Sequence, residues 1–142
     1  MTDTLAAETA ELASDFTNSS VRERLDLLLE FSDNLPDLPS KYADHPDLLE
    51  RVEECQAPVY LFVEVENGIV ATYFTAPAEA PTTRGFAGIL HEILNQKTST
   101  EVLAFPEDFP DTLGLAEAVS PLRLRGMRAM LARLKRQVRE KS

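Results

Sequence analysis

The residues Glu66-Asn67-Gly68 separate two runs rich in β-branched and aromatic side chains, 59–65 and 69–74. Asparagine and glycine both accept the positive φ that a two-residue turn demands, so the segment predicts an antiparallel hairpin. A two-stranded hairpin is marginal in water on its own, so the rest of the chain must cover it. A weaker signal around 49–52 offers a third strand. What flanks the sheet reads as helix.

Residues 1–20 predict a first amphipathic helix with Leu5, Leu12 and Phe16 on its apolar edge, ended by Thr17-Asn18-Ser19-Ser20. Ser20 and Glu23 fit a capping box that opens a second helix, with a buried stripe of Leu25, Leu28, Leu29 and Phe31. Pro36 and Pro39 stop that helix, and 35–47 reads as a rigid connecting loop. After the hairpin, the proline-bearing stretch 76–81 closes the sheet region. Helical spacing resumes at Phe86, Ile89, Leu90, Ile93 and Leu94, and Arg84-Gly85 reads as the start of that helix. Thr98 and Glu101 form a second capping box, and Leu113, Leu115 and Val119 suggest a further short helix. Ser120-Pro121 opens the last helix, a capping hydroxyl followed by proline where its missing N–H costs nothing. Met127, Met130, Leu131, Leu134 and Val138 line its inner face at i, i+3, i+4 spacing. The expectation is an α+β fold in one domain over 1–142. It has a small antiparallel sheet of about three strands, helices covering one face, and a long C-terminal helix.

A chain of 142 residues with 44% hydrophobic side chains suits one core. Its one cysteine, Cys55, leaves no internal disulfide and no CxxC pair, which favours a reducing, cytoplasmic setting. The start, Met1-Thr2-Asp3-Thr4-Leu5, lacks the basic-then-apolar pattern of a targeting segment. The longest apolar run, 57–63, falls far short of the ~20 residues that span a bilayer, so no membrane association is expected.

The net charge of −10 hides an asymmetry. Residues 1–120 carry 23 acidic and 6 basic side chains, whereas 121–142 carry 8 basic ones and only Glu140. The basic helix is read as a solvated face that neutralises the acidic body. A nucleic-acid contact is the alternative, opposed by the surrounding negative charge and by the lack of interleaved aromatics for base stacking.

Phosphate-loop, dinucleotide-binding, Gly-x-Ser-x-Gly and His-Glu-x-x-His motifs are all missing. His45 and His91 lie far apart without a ligand pattern, so no metal is expected, though a cysteine–histidine dyad stays open because such partners meet only in the fold. Cys55 directly precedes the first hairpin strand. It reads either as a small buried apolar residue or as a reactive thiol. With no cation adjacent in sequence, Glu53 and Glu54 should raise its pKa and leave it a thiol that is quiet until a partner supplies activated sulfur.

Four segments, in this order and at these distances, form a recognisable pattern. They are Leu27-Leu28-Leu29-Glu30-Phe31 leading to Leu35-Pro36-Asp37-Leu38-Pro39, then Glu54-Cys55-Gln56-Ala57, then Arg84-Gly85, and last Ser120-Pro121-Leu122-Arg123-Leu124-Arg125-Gly126-Met127. The chain resembles the SufE family, sulfur acceptors of iron–sulfur cluster assembly, over nearly its whole length. The family's common cysteine motif is Gly-Cys-Gln-Ser. Here Glu54 replaces the glycine and Ala57 the serine, which questions the loop geometry but keeps the sulfur.

The resemblance implies a SufE/NifU-like fold and a persulfide carrier rather than an autonomous enzyme. Cys55 would take sulfur from a SufS-type cysteine desulfurase, stimulate it, and pass the sulfur to the SufBCD scaffold. Pyridoxal phosphate would belong to the desulfurase, with no cofactor or metal on this chain. A monomer or weak homodimer is expected. Arg123 is the candidate for steadying the sulfur anion or holding the Cys55 loop, with a plain surface arginine as the alternative. Gln56 is the candidate hydrogen-bond donor to sulfur, and Arg84 is an auxiliary residue of more structural character. Competing readings are an IscU-like cluster scaffold, disfavoured because a cluster needs several thiolates, an interaction module, and sulfur relay to tRNA thiolation or molybdenum cofactor synthesis.

Overall fold

A computed structural model describes residues 3–142. The sheet has three antiparallel strands in the order β1 (Glu50–Arg51), β2 (Tyr60–Glu66) and β3 (Ile69–Thr75). The register runs from Tyr60 opposite Thr75 to Glu66 opposite Ile69, with Asn67 and Gly68 turning at φ 53 and 76. Both turn residues adopt the left-handed conformation that the hairpin reading requires. The strand expected around 49–52 is β1, two residues long.

Six α-helices surround the sheet among the described residues: α1 (Asp3–Thr17), α2 (Val21–Asn34), α3 (Ser40–Ala43), α4 (Pro81–Leu94), α5 (Ser99–Ala104) and α6 (Pro121–Lys141). Both capping boxes form, at Ser20 with Glu23 and at Thr98 with Glu101. Ser120 caps α6 by accepting from the Arg123 N–H at 3.2 Å. Helix α1 starts at Asp3; the first two residues of the expected 1–20 helix lie outside the described residues.

Period-2 burial sets the layers. Leu61 and Val63 of β2 and Val70, Thr72 and Phe74 of β3 point to a buried face, where α4 and α6 pack. Beyond α4 lie α2 and α1. The close contact of α2 with α4 depends on Gly85, because a Cβ there would collide with the Leu28 backbone. All five apolar residues expected on the inner face of α6 are fully buried.

Several local expectations need correction. Leu29 is 43% exposed, whereas Leu28 is fully buried and Leu25 and Phe31 pack half-buried against the core, with Arg24 and Ser32 also buried on that side. Arg24 is tolerated there because it donates to the carbonyls of Phe16, Thr17 and Gly114. The 35–47 loop holds α3 and a 3₁₀ turn at Pro46–Leu48, which set Tyr42 on the opposite face of the sheet between Phe62 and Tyr73. Helix α4 begins earlier than its apolar spacing, at Pro81, a favoured first position. The short helix suggested by Leu113, Leu115 and Val119 is instead two 3₁₀ turns, Phe109–Leu113 and Leu115–Glu117, separated by Gly114 at φ 65. No helix among the described residues is long and apolar enough to cross a membrane.

Candidate functional site

The loop between β1 and β2 carries the thiol. Val52 and Val59, both fully buried, anchor its base, and the Val52 N–H donates to the Val59 carbonyl at 2.9 Å. Inside it, the Cys55 N–H donates to the Val52 carbonyl at 3.0 Å. Glu54, standing where the family pattern has glycine, does not have a positive φ; among the described residues only Asn67 and Gln96 do so without being glycine. The loop therefore has no need of glycine at that position.

Cys55 is only 8% exposed, and its sulfur rests on α6 at Gly126. A Cβ at Gly126 would lie 2.8 Å from Sγ, closer than nonbonded atoms approach, so the missing side chain makes room for the sulfur. A cavity of about 80 Å³ adjoins it, lined by Cys55, Gln56, Thr83, Leu122, Arg123 and Gly126. Three regions of sequence thus meet at one sulfur: the loop, the start of α4 and the start of α6.

Burial pushes the Cys55 thiol up, and the Glu54 carboxylate pushes it further, from 9.0 to about 11, against an opposing pull from Arg133. Low-dielectric surroundings disfavour the thiolate, and a neighbouring anion does the same. Glu53, expected to contribute, is exposed and is not among the causes. The expectation of no nearby cation is corrected as well. Arg133, seventy-eight positions away in sequence, is brought beside the loop by α6, where its Nε donates to Glu54 Oε1 at 2.9 Å and its Nη1 to Glu50 Oε2 at 2.7 Å. Burial alone would raise the Glu54 carboxyl, but the Arg133 hydrogen bond helps bring it below its ordinary value. Glu50 is also held by Arg136 and by Gln137 Nε2 at 2.9 Å, so the network ties β1 and the loop to α6.

Gln56 and Arg123 line the cavity with Cys55, and both are exposed. Arg84 sits elsewhere. Its guanidinium donates to the carbonyls of Ala76 at 2.7 Å, Ser32 at 3.0 Å and Leu35 at 3.5 Å, clamping the end of α2 to the segment after β3. Thr83 and Arg133 are site residues that the sequence reading missed. Thr83 adjoins the noted Arg84-Gly85 pair, whereas nothing local in the sequence links Arg133 to the loop.

Neither histidine adjoins the thiol cavity. His91 Nδ1 lies 2.9 Å from Thr72 Oγ1, and His45 is exposed before the Pro46–Leu48 turn. Among the described residues no group of three or more His, Cys, Asp or Glu side chains converges as a metal site. Much of the basic charge on α6 is spent within the chain. Arg128 pairs with Asp111 and Arg133 with Glu50 and Glu54, while buried Lys135 donates to the Phe105 carbonyl at 2.6 Å. These contacts are those of a helix neutralising an acidic body.

The SufE family model, described as an Fe-S metabolism associated domain, matches residues 10–138. The chain is 52% identical over 137 residues to an uncharacterized SufE-like protein of Mycobacterium tuberculosis, covering 96% of this chain and 94% of that one. It is 28% identical over 112 residues to SufE-like protein 1, chloroplastic/mitochondrial, of Arabidopsis thaliana, covering 78% of this chain and 29% of that protein. Among solved structures, the solution structure of a hypothetical protein from Thermus thermophilus superposes with a TM-score of 0.79 at 39% identity, covering 94% of each chain. With a fold-wide structural match and a family model spanning the thiol loop and both helices that meet it, this chain belongs to the SufE family.

Proposed function

We propose that this protein is a sulfur acceptor of iron–sulfur metabolism that takes persulfide sulfur from a SufS-type cysteine desulfurase onto Cys55 and hands it to a SufBCD-type scaffold. The observation that carries this reading is the setting of the chain's only thiol, seated on Gly126 beside a small cavity at a junction of three segments. Cys55 thiolate attacks the terminal sulfur of the desulfurase persulfide. The S–S bond on the desulfurase breaks, a new S–S bond forms on Cys55, and the desulfurase cysteine leaves as thiolate, so no outside oxidant or reductant is needed. Pyridoxal phosphate serves in the desulfurase, and this chain uses no cofactor of its own.

With the thiol pushed up to about 11, the thiolate share at pH 7 is on the order of one in ten thousand. Free Cys55 is therefore quiet towards stray oxidants. Reaction requires contact with the desulfurase to relieve the burial and the Glu54 repulsion that hold the proton in place. Arg123, which lines the cavity, is the candidate cation for steadying the sulfur anion once it forms.

The test combines the protein with a cysteine desulfurase and ³⁵S-labelled L-cysteine. The wild type gains one sulfur on Cys55 and accelerates desulfurase turnover, and Cys55→Ser does neither. Unchanged turnover with no label on Cys55 overturns the proposal.

A further inference from the structure

On the outer face of the sheet, at the end where the Cys55 loop emerges, lies a groove of about 720 Å³. Tyr42, Pro46, Leu49 and Tyr60 provide its apolar surface, and the exposed carboxylates of Asp37 and Asp47 also line it. The surface is held rigid. The Tyr42 ring lies 4.8 Å, centroid to centroid, from both Phe62 and Tyr73, and its hydroxyl donates to Glu64. Beside the groove Leu48 is 50% exposed on its 3₁₀ turn. The groove is within the range of size and apolar character of ligand and docking clefts.

Charge decides what fits. No lysine or arginine lines the groove, and neither Asp37 nor Asp47 has an ion-pair partner among the described residues. Lys41 pairs with Glu64 at 2.7 Å and stands 5.2 Å from the Tyr42 ring centroid, so it pairs with neither groove aspartate. The Arg51 guanidinium likewise stands 5.9 Å from the Tyr60 ring centroid, so the rings already carry the chain's own cations and the two unpaired carboxylates are what a partner's charge would meet. An apolar side chain would fill the floor, and a flanking Lys or Arg would meet the two carboxylates.

Position decides which partner. Leu49 immediately precedes β1 and Tyr60 opens β2, so the groove adjoins both strands whose connecting loop presents Cys55. A body seated in the groove lies beside the stem of that loop, on the sheet face opposite α6, and reaches the sulfur around the end of the sheet. We infer that this groove is the docking surface for the cysteine desulfurase, receiving an apolar side chain flanked by a basic one. The choice of partner rests on the sulfur-acceptor reading above.

The test measures the Kd of a SufS-type cysteine desulfurase for the wild-type chain, for Asp37→Lys/Asp47→Lys, and for Glu11→Lys/Asp15→Lys, which makes the same change of charge on α1. All replaced residues are exposed, and circular dichroism verifies folding. The groove variant weakens binding by about tenfold or more, while the α1 variant stays within about twofold of wild type. A third variant, Leu48→Glu, weakens binding without removing any acidic residue. Equal Kd values for the wild type and both groove-side variants overturn the docking surface, as does an equal loss in the α1 variant, which would signal bulk charge alone. The ³⁵S label is read in the same mixtures. Binding that depends on the groove with no label on wild-type Cys55 retains the docking surface and removes the sulfur-acceptor reading, whereas label with groove-independent binding does the reverse.

Discussion

At the scale of single residues, Cys55 is governed by what touches it. Glu54→Gln removes the anion that disfavours the thiolate and leaves the opposing pull of Arg133, which stays bonded to Glu50, so the thiol pKa falls below about 11. The pH dependence of the iodoacetamide alkylation rate reads this directly, and an unchanged or raised midpoint contradicts it. Gly126→Ala places a methyl group 2.8 Å from the Cys55 sulfur, which must shift towards the adjoining cavity. It costs about 1–3 kcal/mol in urea unfolding and speeds alkylation, because a sulfur displaced into the cavity is more accessible. Cys55, Gln56 and Arg123, which line one cavity, were already singled out in the sequence through their resemblance to a family pattern. Arg133 was not, because its relation to the loop exists only once α6 crosses the sheet. Reading charge along the sequence found Glu53 and Glu54, yet the distribution in space keeps Glu54, drops Glu53 and adds a cation.

At the scale of elements, local chemistry announced most starts and stops. Asn67-Gly68, the two capping boxes and Ser120-Pro121 each act through contacts within four residues, which is why they are readable from sequence. Ser120→Ala removes the acceptor for the Arg123 N–H and lowers stability by about 1 kcal/mol in chemical denaturation. Arg84→Ala has a larger effect, about 1–3 kcal/mol, because it strips a donor from the carbonyls of Ser32 and Ala76. Where Arg84 serves only as a clamp, the folded variant still takes ³⁵S onto Cys55 at saturating desulfurase, and loss of label from a folded variant would assign it a part in transfer. The misread elements were those set by distant contacts. Helix α3 forms where Tyr42 finds Phe62 and Tyr73, and Leu29 points to solvent because α2 presents Arg24 and Leu28 inward instead.

At the scale of the whole molecule, an acidic body is closed by a basic helix, and the two limits of its pH stability follow. Arg-bonded carboxyls at Glu50, Glu54 and Asp111 lie below their ordinary values in the fold. Their contribution is complete above the unfolded carboxyl range and is lost as pH falls from there through the lower folded values. On the alkaline side, burial raises Cys55, Tyr42 and Tyr73 in the fold; the Cys55 contribution is complete below 9.0 and disappears as pH climbs through about 11, and the two tyrosines lose theirs at higher pH. Urea midpoints should fall at both extremes, and Cys55→Ala should reduce the onset of the alkaline fall above 9.0 while leaving the acid fall unchanged. Sequence by itself determined the hairpin, the caps, the apolar face of α6 and the family pattern around one thiol, because short-range sterics and periodicity encode them. Only the tertiary structure decided that the thiol is buried against Gly126, that Arg133 and Glu54 hold its loop to α6, and that a groove with unpaired carboxylates lies beside it. Burial and through-space charge depend on which elements pack together, and residues far apart in the chain become neighbours only when the core closes.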